Sequence, residues 1–144
     1  MKILGRKEKV DLPDFGLMNI SVKIDSGAYS CSIHCEFIKE VKEEKSTILK
    51  VVFLDDSLPK YTGEIIEFKQ YEKKKVKSST GEVQERFFVK VKVKLFEEEI
   101  LTDFSLTQRN GLKNPILIGR KVLNRRFLID TSKVNLSSSN KKNK

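Results

Sequence analysis

The residues best placed to do chemistry in this chain are four in a row, Asp25-Ser26-Gly27-Ala28. Met18, Ile20, Val22 and Ile24 alternate with polar residues and deliver the carboxylate at the end of a predicted strand. A hydroxyl, a residue free to take positive φ and a residue with almost no side chain follow it. That combination presents a carboxylate where a second backbone can come close. A lone carboxylate at a strand end is ordinarily a turn or cap residue, so the motif needs a partner. A second segment, Pro115-Ile116-Leu117-Ile118-Gly119-Arg120-Lys121-Val122-Leu123, is the candidate.

Other reactive residue types form weaker constellations. Cys31, His34 and Cys35 are close in sequence, and Asp25 could join them. Structural zinc takes four ligands and catalytic zinc three plus water, and Cys-x-x-His-Cys is not a common spacing. On an extended segment His34 faces away from the two thiols. No metal and no cofactor are therefore expected. Two cysteines four apart in a strand point the same way but sit too far apart to bridge, so both read as free thiols. His34 is either a residue near the site or a hydrogen-bonded structural histidine. As the single histidine, it supports no Ser-His-Asp arrangement. Lys69, Lys73, Lys74, Lys75 and Lys77, with Tyr61, Phe68 and Tyr71 nearby, could be a nucleic-acid surface. A solvated hairpin face explains them as well, and nucleic acid is not the expected partner. There is no glycine-rich phosphate loop.

The elements that must position Asp25 follow from alternation and turn signals. Lys2 to Leu12 reads as a first strand, stopped by Pro13-Asp14-Phe15-Gly16. Met18 to Ile24 is the second. Ser30 to Glu36 is extended, Phe37 to Val41 is favoured as strand, and Ile48 to Leu54 is plainly one. A long hairpin follows, with arms Glu64 to Ser78 and Glu82 to Phe96 about a tip at Ser79-Thr80-Gly81. In its second arm lysines 90, 92 and 94 alternate with Val89, Val91, Val93 and Leu95, as a half-buried antiparallel strand requires. Glu97-Glu98-Glu99 turns the chain into Ile100 to Leu106. Arg120 to Arg125 suits a short helix, and Arg126 to Asp130 a last strand. Residues 1–131 form one all-β domain. Residues 132–144 read as a disordered basic tail.

The motif order resembles the retropepsins, the dimeric aspartic peptidases of retroviral type. Ile24-Asp25-Ser26-Gly27-Ala28 matches their active-site loop. Ile116-Leu117-Ile118-Gly119-Arg120, with Val122 and Leu123 on a helix, matches their closing segment, and the hairpin falls where a flap belongs. A closer resemblance spans nearly the whole chain. It is to the bacterial and archaeal retropepsin-like group often labelled ATP-dependent zinc protease, associated with ATP-grasp glutamate ligases. Leu4 to Gly16 fits that group's Gly-Arg-x-Glu…Leu-Pro-x-x-Gly opening, and Lys23 to His34 fits its Asp-Thr-Gly-Ala segment. Lys77-Ser78-Ser79-Thr80-Gly81 and Arg86 fit the hairpin, and Arg109 with Pro115 to Leu123 fits the end.

The resemblance implies a closed barrel with one short C-terminal helix, working as a homodimer. It implies Asp25 as the catalytic residue on the loop of Ser26, Gly27 and Ala28. Lys77, Ser78, Ser79 and Gly81 become flap residues, and His34, Arg86, Arg109, Gly119 and Arg120 supporting ones. Two carboxylates a few ångströms apart cannot both ionise and so share one proton. The ionised member takes a proton from water and the protonated one donates to the scissile carbonyl. One motif per chain means that Asp25 must meet its symmetry mate, and the titration belongs to the pair. The implied substrates are acidic or glutamate-tailed peptides, such as glutamate tails on a ribosomal protein. There are departures. Ser26 stands for the usual Thr, and Ser30 and Cys31 replace a Thr-Ser pair. Ser30 also occupies the position of the acidic residue that pairs with the helix arginine in retroviral enzymes, so Arg120 needs another partner.

Composition sets the bounds. The chain has 144 residues, 34% of them charged, and a net charge of +9. That length suits one domain, and the charge favours an acidic partner. No apolar run approaches the roughly 20 residues that span a bilayer. The early charges at Lys2, Arg6 and Lys7 do not suit a signal peptide, so a cytoplasmic protein without membrane attachment is expected. The other reading the sequence leaves open is a binding module of the same fold without turnover, recognising an acidic tail or nucleic acid.

Overall fold

The computed structural model describes residues 1–77, 80–108 and 114–137. Eleven strands and one short helix organise these residues. They are β1 (Lys2–Leu4), β2 (Lys7–Leu12), β3 (Leu17–Ile24), β4 (Cys31–Lys42), β5 (Thr47–Phe53), β6 (Ile66–Phe68), β7 (Glu72–Lys77), β8 (Val83–Leu95), β9 (Glu98–Thr107), β10 (Ile116–Ile118), α1 (Arg120–Leu123) and β11 (Phe127–Ile129). The larger sheet runs β10-β3-β2-β8-β9-β4-β5-β6, and β10 also pairs with β4. Val10, Val22, Ile33, Val91, Phe104 and Ile116 are fully covered in the single core that these strands enclose. The alternation read from β3 and β8 is the one observed: Ile20, Val22 and Ile24 point inward, as do Val89, Val91, Val93 and Leu95. Met18 is the exception and stays exposed.

Three expectations are corrected. The first strand is two, broken at Gly5-Arg6 because the backbone of Lys133 passes against Gly5 where a Cβ would stand. The first hairpin arm is also two. Ile66–Phe68 turns to pair with β5, and only Glu72–Lys77 pairs with β8. Alternation lapses between them at Lys69-Gln70-Tyr71, and each short run finds the sheet edge within reach. The turn after β8 is tighter than expected. Phe96 and Glu97, both at positive φ, close it, and Leu95 pairs directly with Glu98, the geometry of a two-residue hairpin.

The polar tail is the fourth departure. Residues 132–137 lie along β2. Arg6 N–H donates to Lys133 O at 2.9 Å, and Asn135 N–H to Lys7 O at 2.8 Å. Glu8, with no exposed surface, accepts bonds from the N–H groups of Gly5, Leu136 and Ser137 and from the Ser137 hydroxyl, at 2.7–3.1 Å. A buried carboxylate is tolerable only when so saturated. β1 and β11 pair in parallel beside this clasp, with Ile3 opposite Leu128.

Candidate active site

Asp25 leaves β3 where that strand meets β10. Ile118 pairs with Ile24, and the Asp25 N–H donates to Ile118 O at 2.9 Å. The loop then closes on itself. Ala28 N–H reaches Asp25 O at 3.3 Å, and Gly27 N–H donates to Asp25 Oδ1 at 2.9 Å. Gly27 is not at positive φ. It serves by lacking a side chain, since a Cβ there would stand 3.2 Å from Asp25 Oδ1. The carboxylate is half-buried, Ser26 and Gly27 are exposed, and Oδ2 takes no hydrogen bond among the described residues.

The Gly119-Arg120 segment locks this loop from below. Arg120 N–H donates to Ala28 O at 2.8 Å and Lys121 N–H to Tyr29 O at 2.9 Å, so the loop carbonyls satisfy the first amides of α1. No side chain fits at position 119: a Cβ would meet Ser30 O at 2.6 Å and Ala28 O at 2.8 Å. The missing partner of Arg120 is the loop itself. Its Nη1 donates to Ser26 O at 3.0 Å, and its guanidinium lies 5.7 Å from the centre of the Tyr29 ring. Tyr29 therefore stands in for a carboxylate partner, which an inspection for charges alone would miss. Lys121 Nζ also lies over the same ring, 5.3 Å from its centre, and pairs with Asp103 at 2.9 Å. That hydrogen bond from Lys121, helped by Lys90, holds the Asp103 carboxyl below its usual range and raises Lys121.

Beneath the loop, Gly119 N–H points at Cys31 Sγ, 3.4 Å away. Both cysteines are free and buried. Burial pushes the Cys31 thiol up to about 11 and the Cys35 thiol further, so both stay protonated thiols at neutral pH. His34 is buried too, on a stretch of β4 covered on both faces, so the expected split between His34 and the cysteines is not one of exposure. Its Nε2 lies 2.8 Å from Asp55 Oδ2, and Asp55 also accepts from Ser57 N–H and hydroxyl. The structure thus gives His34 a structural pairing with the loop after β5. No cluster of three or more metal-ligating side chains occurs among the described residues.

The β7–β8 hairpin overhangs the body of the sheet. Residues 83–87 of β8 pair only with β7, and pairing to β9 begins at Phe88. Lys77 closes the ribbon opposite Val83, and Gly81 at φ +88° sits in its tip. Ser78, Ser79 and Arg109 lie outside the described residues. Between ribbon and loop is a cavity of about 560 Å³, bounded by Ala28, Tyr29, Val76, Arg86, Ser105 and Thr107. Arg86 also borders a neighbouring cavity of about 400 Å³, so it stands where the two meet. Ser105 was not singled out from the sequence; nothing local distinguishes it from any serine in a strand.

A strand-built body, a carboxylate loop seated on a Gly-Arg helix start and an overhanging hairpin together define a retropepsin-like protein. More particularly, residues 3–140 match the RimB-like family, described as retropepsin-like aspartic endopeptidase RimB, and the chain belongs to that family. A crystal structure of a Legionella pneumophila protein of unknown function is similar over 94% of this chain and 98% of its own, at 28% identity and a TM-score of 0.73. Proteins named probable alpha-L-glutamate ligase are also similar. The one from Shewanella halifaxensis is 26% identical over 90% of this chain, and that from Parasynechococcus marenigrum 27% over 89%. The chain spans 28% of the length of these relatives.

Proposed function

We propose that this chain is an aspartic peptidase whose active unit is a homodimer, with Asp25 of each copy forming a dyad that shares one proton. The observation that carries the reading is the Asp25 carboxylate itself. Its loop is held by the Ile118 carbonyl and by the backbone and side chain of Arg120, and the carboxylate itself is half-buried and bonded once, within that loop. The ionised carboxylate draws a proton from water while its protonated mate donates to the scissile carbonyl. The ribbon closes over an extended peptide, which gains main-chain bonds as an added strand.

Pairing of β10 with both β3 and β4 supports reading the circuit β10-β3-β2-β8-β9-β4 as a closed barrel. For the dimer, the β1–β11 pair is the supporting feature. It is an isolated two-stranded sheet, and the register partners Ile3 and Leu128 are 47% and 56% exposed. Open strand edges carrying apolar residues invite a second copy. Substrates are acidic peptides, glutamate-rich above all. The +9 charge supports this, as does the likeness to proteins named for glutamate ligation. No helix among the described residues is long and apolar enough to cross a membrane, and the proposed setting is cytoplasmic.

The test is hydrolysis of a glutamate-rich peptide by the full chain and by Asp25→Asn, beside native mass measurement of both. Asp25→Asn should lower the rate by about 10³-fold or more without changing the mass of a dimer. Hydrolysis that survives the substitution, or a strict monomer that still cleaves, rejects the dyad.

A further inference from the structure

Two polar residues around the 560 Å³ cavity lack a strong hydrogen-bond or ion-pair partner among the described residues. Ser105 is only 4% exposed, and its Oγ is the one buried side-chain oxygen or nitrogen among the described residues without a hydrogen-bond partner. A buried hydroxyl left unbonded costs stability unless something else uses it. Its neighbour Thr107 has already given its hydroxyl to Ile33 O at 3.3 Å. Arg86 is the second group. Its hydrogen bond is a long one, 3.5 Å to the Gln84 side-chain oxygen, and it has no carboxylate partner among the described residues.

The ribbon sharpens this. Lys74 and Arg86 are directly opposite each other, a like-charge pairing that weakens a two-stranded ribbon. Lys74 is compensated by Glu72 at 3.1 Å and stacks over Phe88 at 4.9 Å. Arg86 borders the cavity and has no such carboxylate partner among the described residues. A planar fork of N–H donors there fits a planar carboxylate by two parallel bonds. The Ser105 hydroxyl can rotate to donate to the same group. The volume is that of a small-ligand pocket, and Ala28 and Tyr29 tie it to the Asp25 loop.

We propose that Arg86 and Ser105 form the specificity pocket that receives a glutamate side chain of the substrate beside the Asp25 loop. The assignment rests on the peptidase reading above for its substrate but not for its measurement. Arg86 grips the carboxylate and Ser105 sets its depth. Both are specificity residues and take no part in bond breaking.

Binding in the Asp25→Asn background separates the two claims. Fluorescently labelled oligoglutamate and oligoglutamine peptides of equal length are titrated against the full chain, with anisotropy as the readout. The glutamate peptide should bind more tightly. Arg86→Met should weaken it by at least about tenfold and leave the glutamine peptide within about twofold. Arg86→Lys should restore part of the loss, because charge returns without the fork. Ser105→Ala should cost the glutamate peptide roughly threefold. Thermal melts of each variant guard against misfolding, and Ser105→Ala and Arg86→Lys stand in if Arg86→Met does not fold. Equal losses for both peptides, no loss for either, or no preference for glutamate would overturn the pocket. Hydrolysis by the unsubstituted chain is scored separately. Cleavage without an Arg86-dependent preference removes the pocket and leaves the peptidase. An Arg86-dependent preference without cleavage does the reverse.

Discussion

Two carboxylates in this fold make opposite use of the backbone. Glu8 has no exposed surface and accepts four hydrogen bonds, from Gly5, Leu136 and twice from Ser137. Asp25 is half-exposed and accepts one, from Gly27 within its own loop. Saturation fixes the first as an anchor, since every lone pair it could lend to chemistry is already engaged. Incompleteness leaves the second with lone pairs unengaged among the described residues, as the proposed chemistry requires. The difference lies in who does the bonding. Distant segments converge on Glu8, whereas the segments around Asp25 bond to the backbone of its loop and spare the carboxylate.

That contrast can be broken from either side. The largest effect on stability should come from Glu8→Ala, which leaves the amides of Gly5, Leu136 and Ser137 buried without an acceptor. A loss of about 4 kcal/mol is expected in urea unfolding, and a loss under about 1 kcal/mol would show the clasp to be ornamental. Next is pH. Burial raises the Cys31 thiol from 9.0 to about 11, so the folded state holds its proton where the unfolded chain releases it. The stabilisation is complete below pH 9, declines above it, and reaches a loss of about 2.5 kcal/mol by pH 11. Cys31→Ala should remove its share of that decline and leave the share of the still more raised Cys35 thiol, when melting is followed across the range. Gly119→Ala should cost about 2 kcal/mol, because the atoms it meets are backbone carbonyls that cannot turn aside. It should also disturb the loop enough to depress hydrolysis. Smallest should be the effect of Asp25→Asn on stability, within about 0.5 kcal/mol, while its effect on turnover is the greatest of all.

How much of this was legible in the sequence depended on distance along the chain. The Asp25 loop and the Ile118-Gly119-Arg120 segment could be read because each is contiguous and each residue type has a local reason. The alternation of β3 and β8 was legible for the same reason. The clasp was not. Glu8 lies in the Gly-Arg-x-Glu opening, but its acceptor role depends on Ser137, 129 positions away, in a stretch whose Ser, Asn and Lys content looks like a tail. The His34–Asp55 pair, 21 positions apart, was hidden likewise: β4 is covered on both faces, which alternation cannot reveal. The split of the first hairpin arm was missed because short strands take their partner from whichever edge is free. Tyr29 as the companion of Arg120 was not legible because an acidic residue is the expected partner of an arginine, and an aromatic face serves a guanidinium too.

The meeting of residues 2–8 with residues 127–137 has a consequence for how the protein is made. Among the described residues Lys2–Leu4 finds its only strand partner in Phe127–Ile129, and Glu8 finds donors in the N–H groups of Leu136 and Ser137. On a ribosome adding about 5–20 residues each second, the first strands emerge many seconds before the segment that completes them. Residues 2–4 must therefore wait unpaired until residues 127–129 arrive. Such long-range closure makes for slow folding, and chaperone dependence during synthesis would be set by the arrival of residues 127–137.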